Sequence, residues 1–84
     1  MPFVYILKCS DNTFYTGYTV DIERRLEAHR EGMASKYTRG RRPVELVYRE
    51  ELASKSLALR RELEIKKMSR SEKMALTAKY PTQR

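Results

Sequence analysis

The sequence has one cysteine, one histidine and no tryptophan in 84 residues. A lone thiol excludes a disulfide framework, and without a cluster of thiolates or imidazoles a structural zinc site is excluded as well. Glycine and proline are scarce, three of each, and no repeat, low-complexity stretch or linker interrupts the chain. Long apolar runs are missing. The longest, Phe3 to Leu7, is far too short to span a bilayer. No basic, apolar and small-residue leader precedes it, so the expectation is a cytoplasmic protein with no membrane contact. Negative charge is in deficit: 11 Asp and Glu stand against 18 Lys and Arg, a formal charge of +7 and a pI near 9.8. So basic a small body favours polyanions, nucleic acid before an anionic membrane. Apolar residues make up 40% and mean hydropathy is −0.73, enough for a folded domain with a polar surface. The length fits one domain over residues 1–84, with a core at about 2–76 and a frayed tail at 79–84. A chain of this size buries roughly 60% of its unfolded surface, so that core is small.

Phe3 to Cys9 is apolar and aromatic and reads as a strand. Ser10-Asp11-Asn12-Thr13 is turn chemistry, and Phe14 to Thr19 reads as the returning strand of a hairpin. Gly17 weakens that strand and marks a bulge or a close approach by another group. Asp21 to Glu31 reads as a helix ended by Gly32. Its wheel buries Ile22, Leu26 and Ala28 and turns Glu23, Arg24, Glu27 and Glu31 outward. Arg25 and His29 also fall on or beside the apolar stripe, one turn apart, which a merely solvated face does not explain. Met33 to Pro43 reads as a basic loop. Val44 to Glu50 is a third strand, and Ser54 to Met68 a second helix. A third helix opens at Ser69 with a capping box to Glu72 and is stopped by Pro81. The order β-β-α-β-α-α predicts an α+β fold: a small three-stranded, mainly antiparallel sheet flanked by helices.

On the second helix Glu62 falls among Ala58, Leu59, Leu63 and Ile65, whereas Glu64 faces out beside Arg60 and Lys67. A carboxylate set among apolar neighbours needs a partner, since burying it unpaired costs about 2–7 kcal/mol or more. Lys66, at i+4, is the ordinary partner; a divalent cation is the sharper one. Taken singly, Tyr5, Tyr15 and Tyr18 read as packing residues, His29 as a core histidine and Arg25 as half of a helix ion pair. The cations of the loop read as solvated surface.

Taken together, these residues resemble the GIY-YIG nuclease family. Phe3-Val4-Tyr5 matches its first signature and Tyr15-Thr16-Gly17 its second. Thr19 to His29 is similar to its helix with an inward Arg followed four residues later by His or Tyr. Ala58-Leu59-Arg60-Arg61-Glu62 is similar to the segment with its metal-binding Glu. The likeness covers roughly residues 2–76, and within the family it points to the small stand-alone UPF0213-like members. Phe3, Val4 and Thr16 depart from the signatures at strand positions. Tyr18 stands where some relatives have Lys, and Asn12 is the only Asn, so the late Asn of many relatives is absent.

The resemblance implies metal-dependent phosphodiester hydrolysis, with one Mg²⁺ or Mn²⁺ held by Glu62 and waters. Arg25 would grip the scissile phosphate, its fork matching two oxygens. Tyr15 is the first choice as general base with Tyr5 orienting, and the two roles are exchangeable. His29 would position a Tyr or the phosphate, or relay a proton. Gly17 would let nucleic acid approach the backbone. Lys36, Arg39, Arg41 and Arg42 are expected to contact phosphates, and Tyr37 to stack on a base. The substrate is DNA in preference to RNA, cut with structural or weak selectivity, and no stable protein partner is inferred. A non-catalytic nucleic-acid-binding module with the same fold is the alternative, and a protein-interaction domain for an acidic partner the third reading. A shared site also requires Tyr5 and Tyr15 on one sheet face. Facing residues must then sum to an even number, which demands an odd-length turn or a bulge.

Overall fold

In the computed structural model, residues 1–79 are described. β1 (Phe3–Lys8) and β2 (Phe14–Thr19) form an antiparallel hairpin, followed by α1 (Ile22–Arg30) and a four-residue α2 (Lys36–Arg39). β3 (Glu45–Glu51), α3 (Lys55–Lys66) and α4 (Arg70–Lys79) complete the order. The sheet is arranged β2-β1-β3, with both pairings antiparallel. β1 is therefore central, and Val4, Tyr5, Ile6 and Leu7 are all buried. This accounts for an unbroken apolar run where a one-sided strand would alternate.

The turn meets the parity condition. Cys9 N–H donates to the Thr13 carbonyl and Asn12 N–H to the Cys9 carbonyl, leaving the three-residue loop Ser10-Asp11-Asn12. Asn12 adopts the left-handed region at φ 68°, a conformation Asn tolerates. Tyr5 then faces Gly17 and Leu7 faces Tyr15, so both tyrosines lie on the same side of the sheet.

That side is covered by α1, where Tyr5, Leu7 and Ile22 pack with Tyr15, Leu26 and Leu46. The other side is covered by α3 and α4, where Val4, Ile6, Tyr48, Ala58 and Ile65 pack with Phe14, Tyr18, Met68 and Leu76. A bulge between Ile6 and Leu7 shifts the β1–β3 register and lets Val47 join Tyr48 on the α3 side. Arg61 ties the layers together: its Nε donates to Glu50, which also accepts from the Tyr48 hydroxyl. The apolar stripe of α3 is narrower than its wheel suggests, because Leu59 and Leu63 are 40% and 59% exposed.

Helix ends follow their chemistry. The Asp21 side chain caps α1, and Gly32, at φ +78°, ends it with Gly32 N–H on the His29 carbonyl and Met33 N–H on the Ala28 carbonyl. This paired closure is favoured by a glycine just past the helix. Ser69 and Glu72 form the expected capping box. The stop at Pro81 and the tail beyond Lys79 lie outside the described residues. The one added element is α2, inside the segment expected to be a loop. Ser35 caps it by accepting from Tyr37 N–H, and Thr38 Oγ1 bonds back to the Ser35 carbonyl. One helical turn is too short to show a periodicity in sequence.

Candidate active site

Two strands and two helices deliver the predicted groups to one place. Tyr5 projects from the centre of β1, and Tyr15 from β2, with ring centroids 6.4 Å apart. His29 comes down from α1 and meets both rings edge-on, at 5.7 and 5.3 Å. Burial pushes the Tyr5 phenol above the usual range, the Tyr15 hydroxyl and the Glu62 carboxylate add to this, and the Arg25 guanidinium beside it pulls the other way. Tyr15, Arg25 and Glu62 thus lie within electrostatic reach of Tyr5 although the four come from β1, β2, α1 and α3. Arg25 is half-buried and lines a cleft of about 440 Å³ with Thr19, Asp21 and Ala28.

A directional chain of hydrogen bonds sets the inner wall. Thr38 Oγ1 donates to the Ser35 carbonyl, so its oxygen accepts from His29 Nδ1, 2.9 Å away. That places the histidine proton on Nδ1 and leaves Nε2 to accept from the Tyr5 hydroxyl, also at 2.9 Å. His29 and Thr38 are fully buried. Burial first, and the Arg25 charge second, lower the His29 pKa from 6.5 to about 4. The ring is neutral at pH 7 with a fixed tautomer. In the unfolded chain His29 protonates near pH 6.5, whereas the folded chain resists until about 4. This contribution to stability is therefore complete above pH 6.5 and is lost as pH falls toward 4, at most about 3 kcal/mol. Imidazole carbon-proton shifts should stay flat from pH 8 to about 5; a midpoint near 6.5 would contradict the buried, Thr38-bonded ring.

Thr38 was not visible in the sequence as a site residue. The only hint is Ser35 three residues ahead, a helix-cap spacing within a basic loop. Gly17 proves to serve Tyr5. A Cβ built on Gly17 would lie 2.5 Å from the Tyr5 hydroxyl oxygen and 2.6 Å from Cζ, so the space expected to admit nucleic acid is filled by the Tyr5 ring.

The loop cations divide in two. Arg41 binds Asp11 and the Tyr37 carbonyl and lies 3.9 Å over the Tyr37 ring. Arg42 donates to the carbonyls of Arg39 and Arg30. Both brace the loop against the hairpin turn and the end of α1. Lys36 and Arg39 are exposed and line a separate cleft beside Gly32 and Met33, free to meet phosphates. Tyr37, expected to stack on a base, instead stacks on Tyr15 at 5.9 Å.

Glu62 is the candidate metal ligand. Its side chain is 18% exposed, and Oε2 lies 3.2 Å from Lys66 Nζ, so the ordinary partner occupies it. Among the described residues no three His, Cys, Asp or Glu side chains cluster. The donor set fits an ion that takes one carboxylate and fills its shell with water and substrate oxygens, as Mg²⁺ does, and such an ion would displace the Lys66 ammonium from Glu62. No helix among the described residues is long and apolar enough to cross a membrane.

Comparison with known proteins shows the family. A UPF0213 protein of Natronomonas pharaonis is 55% identical over 76 residues, covering 90% of this chain and 89% of that one. A UPF0213 protein of Staphylococcus haemolyticus is 54% identical over 74 residues, covering 88% and 90%. The solution NMR structure of a UPF0213 protein from Bacillus halodurans superposes with a TM-score of 0.60 at 47% identity, over 93% of this chain and 84% of that one. Another solution NMR structure, from E. faecalis, gives 0.61 at 33% identity, over 98% and 88%. The model of the GIY-YIG catalytic domain matches residues 1–75, and the chain therefore belongs to the GIY-YIG family.

Proposed function

We propose that the protein is a metal-dependent endonuclease that hydrolyses phosphodiester bonds in DNA with structural or weak selectivity. The observation that carries this reading is that Tyr15 packs against Tyr5 and His29 while the Arg25 and Glu62 charges both reach the Tyr5 phenol. A pure binder needs surface charge but has no use for a half-buried carboxylate whose charge reaches a buried phenol.

Arg25 presents a planar fork to two non-bridging oxygens of the scissile phosphate and neutralises charge that grows as water adds. Tyr15 is the better base of the two tyrosines. It is half-buried and lines a cleft with Phe14, Thr16 and Tyr37, whereas Tyr5 is 1% exposed with its proton committed to His29. As the water oxygen attacks phosphorus, its proton passes to the Tyr15 oxygen acting as phenolate, the bond to the leaving sugar oxygen breaks, and that oxygen leaves as an alcohol by taking a proton from solvent water. Tyr5, His29 and Thr38 hold the wall against which the Tyr15 ring packs. Glu62 would hold the Mg²⁺ or Mn²⁺, which when bound polarises the phosphate and supplies positive charge near the phenols.

The test is a divalent-metal titration of cleavage on a panel of duplex, single-stranded and flapped DNA. Cleavage should require the metal and fall about 100-fold or more in Glu62→Gln, with DNA affinity in Ca²⁺ kept within about three-fold. Equal activity in both proteins, indifferent to chelator, would dispose of the enzymatic reading.

A further inference from the structure

The outer edge of β2 carries a third cleft. It measures about 250 Å³ and is lined by Phe14, Tyr15, Thr16, Tyr37, Lys66 and Lys73. It adjoins the candidate active site through Tyr15 and through Lys66, whose ammonium rests on Glu62. β2, α2, α3 and α4 each supply part of its wall, so residues far apart in sequence meet there.

Its chemistry is that of an anion site. No acidic side chain lines it. Lys73 is half-buried and, among the described residues, has no carboxylate within salt-bridge distance, although holding an ammonium partly out of water costs free energy. Thr16 is 4% exposed, and its hydroxyl has no hydrogen-bond partner among the described residues. Buried polar atoms are almost always paired, so an orphan hydroxyl at the wall of a cationic cleft signals an absent ligand or water. The aromatic rings are already occupied: Tyr37 by Arg41 and Tyr15, Phe14 by Arg70. That argues against a base stacked in the cleft and for recognition of the backbone.

The geometry points to a subsite for the DNA backbone phosphate neighbouring the scissile one, held by Lys73 and Lys66 and closed by Thr16. It rests on the nuclease reading for its position beside the reacting phosphate. Lys66 serves two anions in turn: Glu62 without substrate, and the phosphate once a divalent ion takes the carboxylate. Strand affinity and metal affinity should therefore reinforce each other.

The test is fluorescence anisotropy of a labelled oligothymidylate, with salt varied and with Ca²⁺ or chelator present. Lys73→Ala should weaken binding about five- to ten-fold near 0.1 M salt, and the slope of log affinity against log salt should drop by about 0.7, one single-strand phosphate contact. Lys73→Arg should restore most of both. The control is Lys55→Ala, exposed at the other end of α3 and about 16 Å along the helix from Lys66, which should change affinity by less than about two-fold. In the wild type, Ca²⁺ should tighten binding, and Lys66→Met should remove that gain. Matching losses in Lys73→Ala and Lys55→Ala would overturn the subsite, as would a Ca²⁺ effect unaltered in Lys66→Met. These measurements need no cleavage, so failure of the nuclease reading and failure of the subsite are seen separately.

Discussion

Replacing Gly17 with alanine is expected to destabilise the protein by about 1–3 kcal/mol and to break the Tyr5–His29 hydrogen bond. Alanine in a strand ordinarily gains about 0.5–1 kcal/mol over glycine, so the sign is decided by the space available. Here the new Cβ falls 2.5 Å from the Tyr5 oxygen and 2.6 Å from Cζ. The ring cannot swing into solvent, because it is 1% exposed and packed with Leu7 and Ile22 beneath α1. Either the strands part or the phenol leaves His29 Nε2. The first disturbs the pairing of β1 with β2, and the second leaves a buried acceptor unpaired at about 1–3 kcal/mol. Urea denaturation gives the stability change, and the His29 ring-nitrogen shifts report the lost bond. Tyr5→Phe removes the hydroxyl contact but keeps the one to Cζ, so it should relieve part of the Gly17→Ala penalty in a double-mutant cycle. An alanine variant as stable as the wild type, with His29 shifts unchanged, would contradict this packing.

The other large effect is expected at Arg25. Arg25→Ala should lower single-turnover cleavage by about 10³-fold, since it removes a preorganised cation from the developing charge. Arg25→Lys should recover no more than about ten-fold, because an ammonium cannot reproduce the two-pronged fork. DNA affinity should change only a few-fold, with Lys36 and Arg39 still exposed for phosphate contact. The same variant has a readout independent of activity. The Arg25 charge helps depress the His29 pKa and opposes the rise of Tyr5, so Arg25→Ala should raise both pKa values. Kinetic loss without either shift would place Arg25 away from the tyrosines.

The hairpin was legible from its two strands and turn residues, but the length of its turn was not, so parity stood only as a condition on a shared site. The structure meets that condition with a turn of three residues ending in Asn12, which puts Tyr5 and Tyr15 on one face. The inward aim of Arg25 and His29 was legible from helical period alone, because α1 has one covered face. Glu62 was legible as half-buried. Its neighbours Leu59 and Leu63 were not legible as exposed, since a wheel shows direction but not how far the opposing layer extends. Thr38 and Lys73 were hidden for another reason. Each is placed by tertiary packing, Thr38 beneath α1 and Lys73 across the edge of β2, and neither carries a local pattern. Gly17 was recognised as a point of close approach, but its neighbour is the facing Tyr5, a cross-strand contact that requires the exact register. Arg41 and Arg42 show the limit of charge counting: both sit in a basic run, yet their donors are spent on carbonyls and Asp11.

The central claim is that two phenols, one guanidinium and one carboxylate share one site, in which Glu62 would hold the divalent ion. Paramagnetic broadening by Mn²⁺ measures this directly in the protein without DNA. At substoichiometric Mn²⁺ the side-chain signals of Tyr5, Tyr15, Arg25 and Lys66 should broaden together, and Glu62→Gln should abolish the effect while Mg²⁺ competes it away in the wild type. Broadening centred on Asp11 or on the outward carboxylates of α1, with those four signals left sharp, would contradict it.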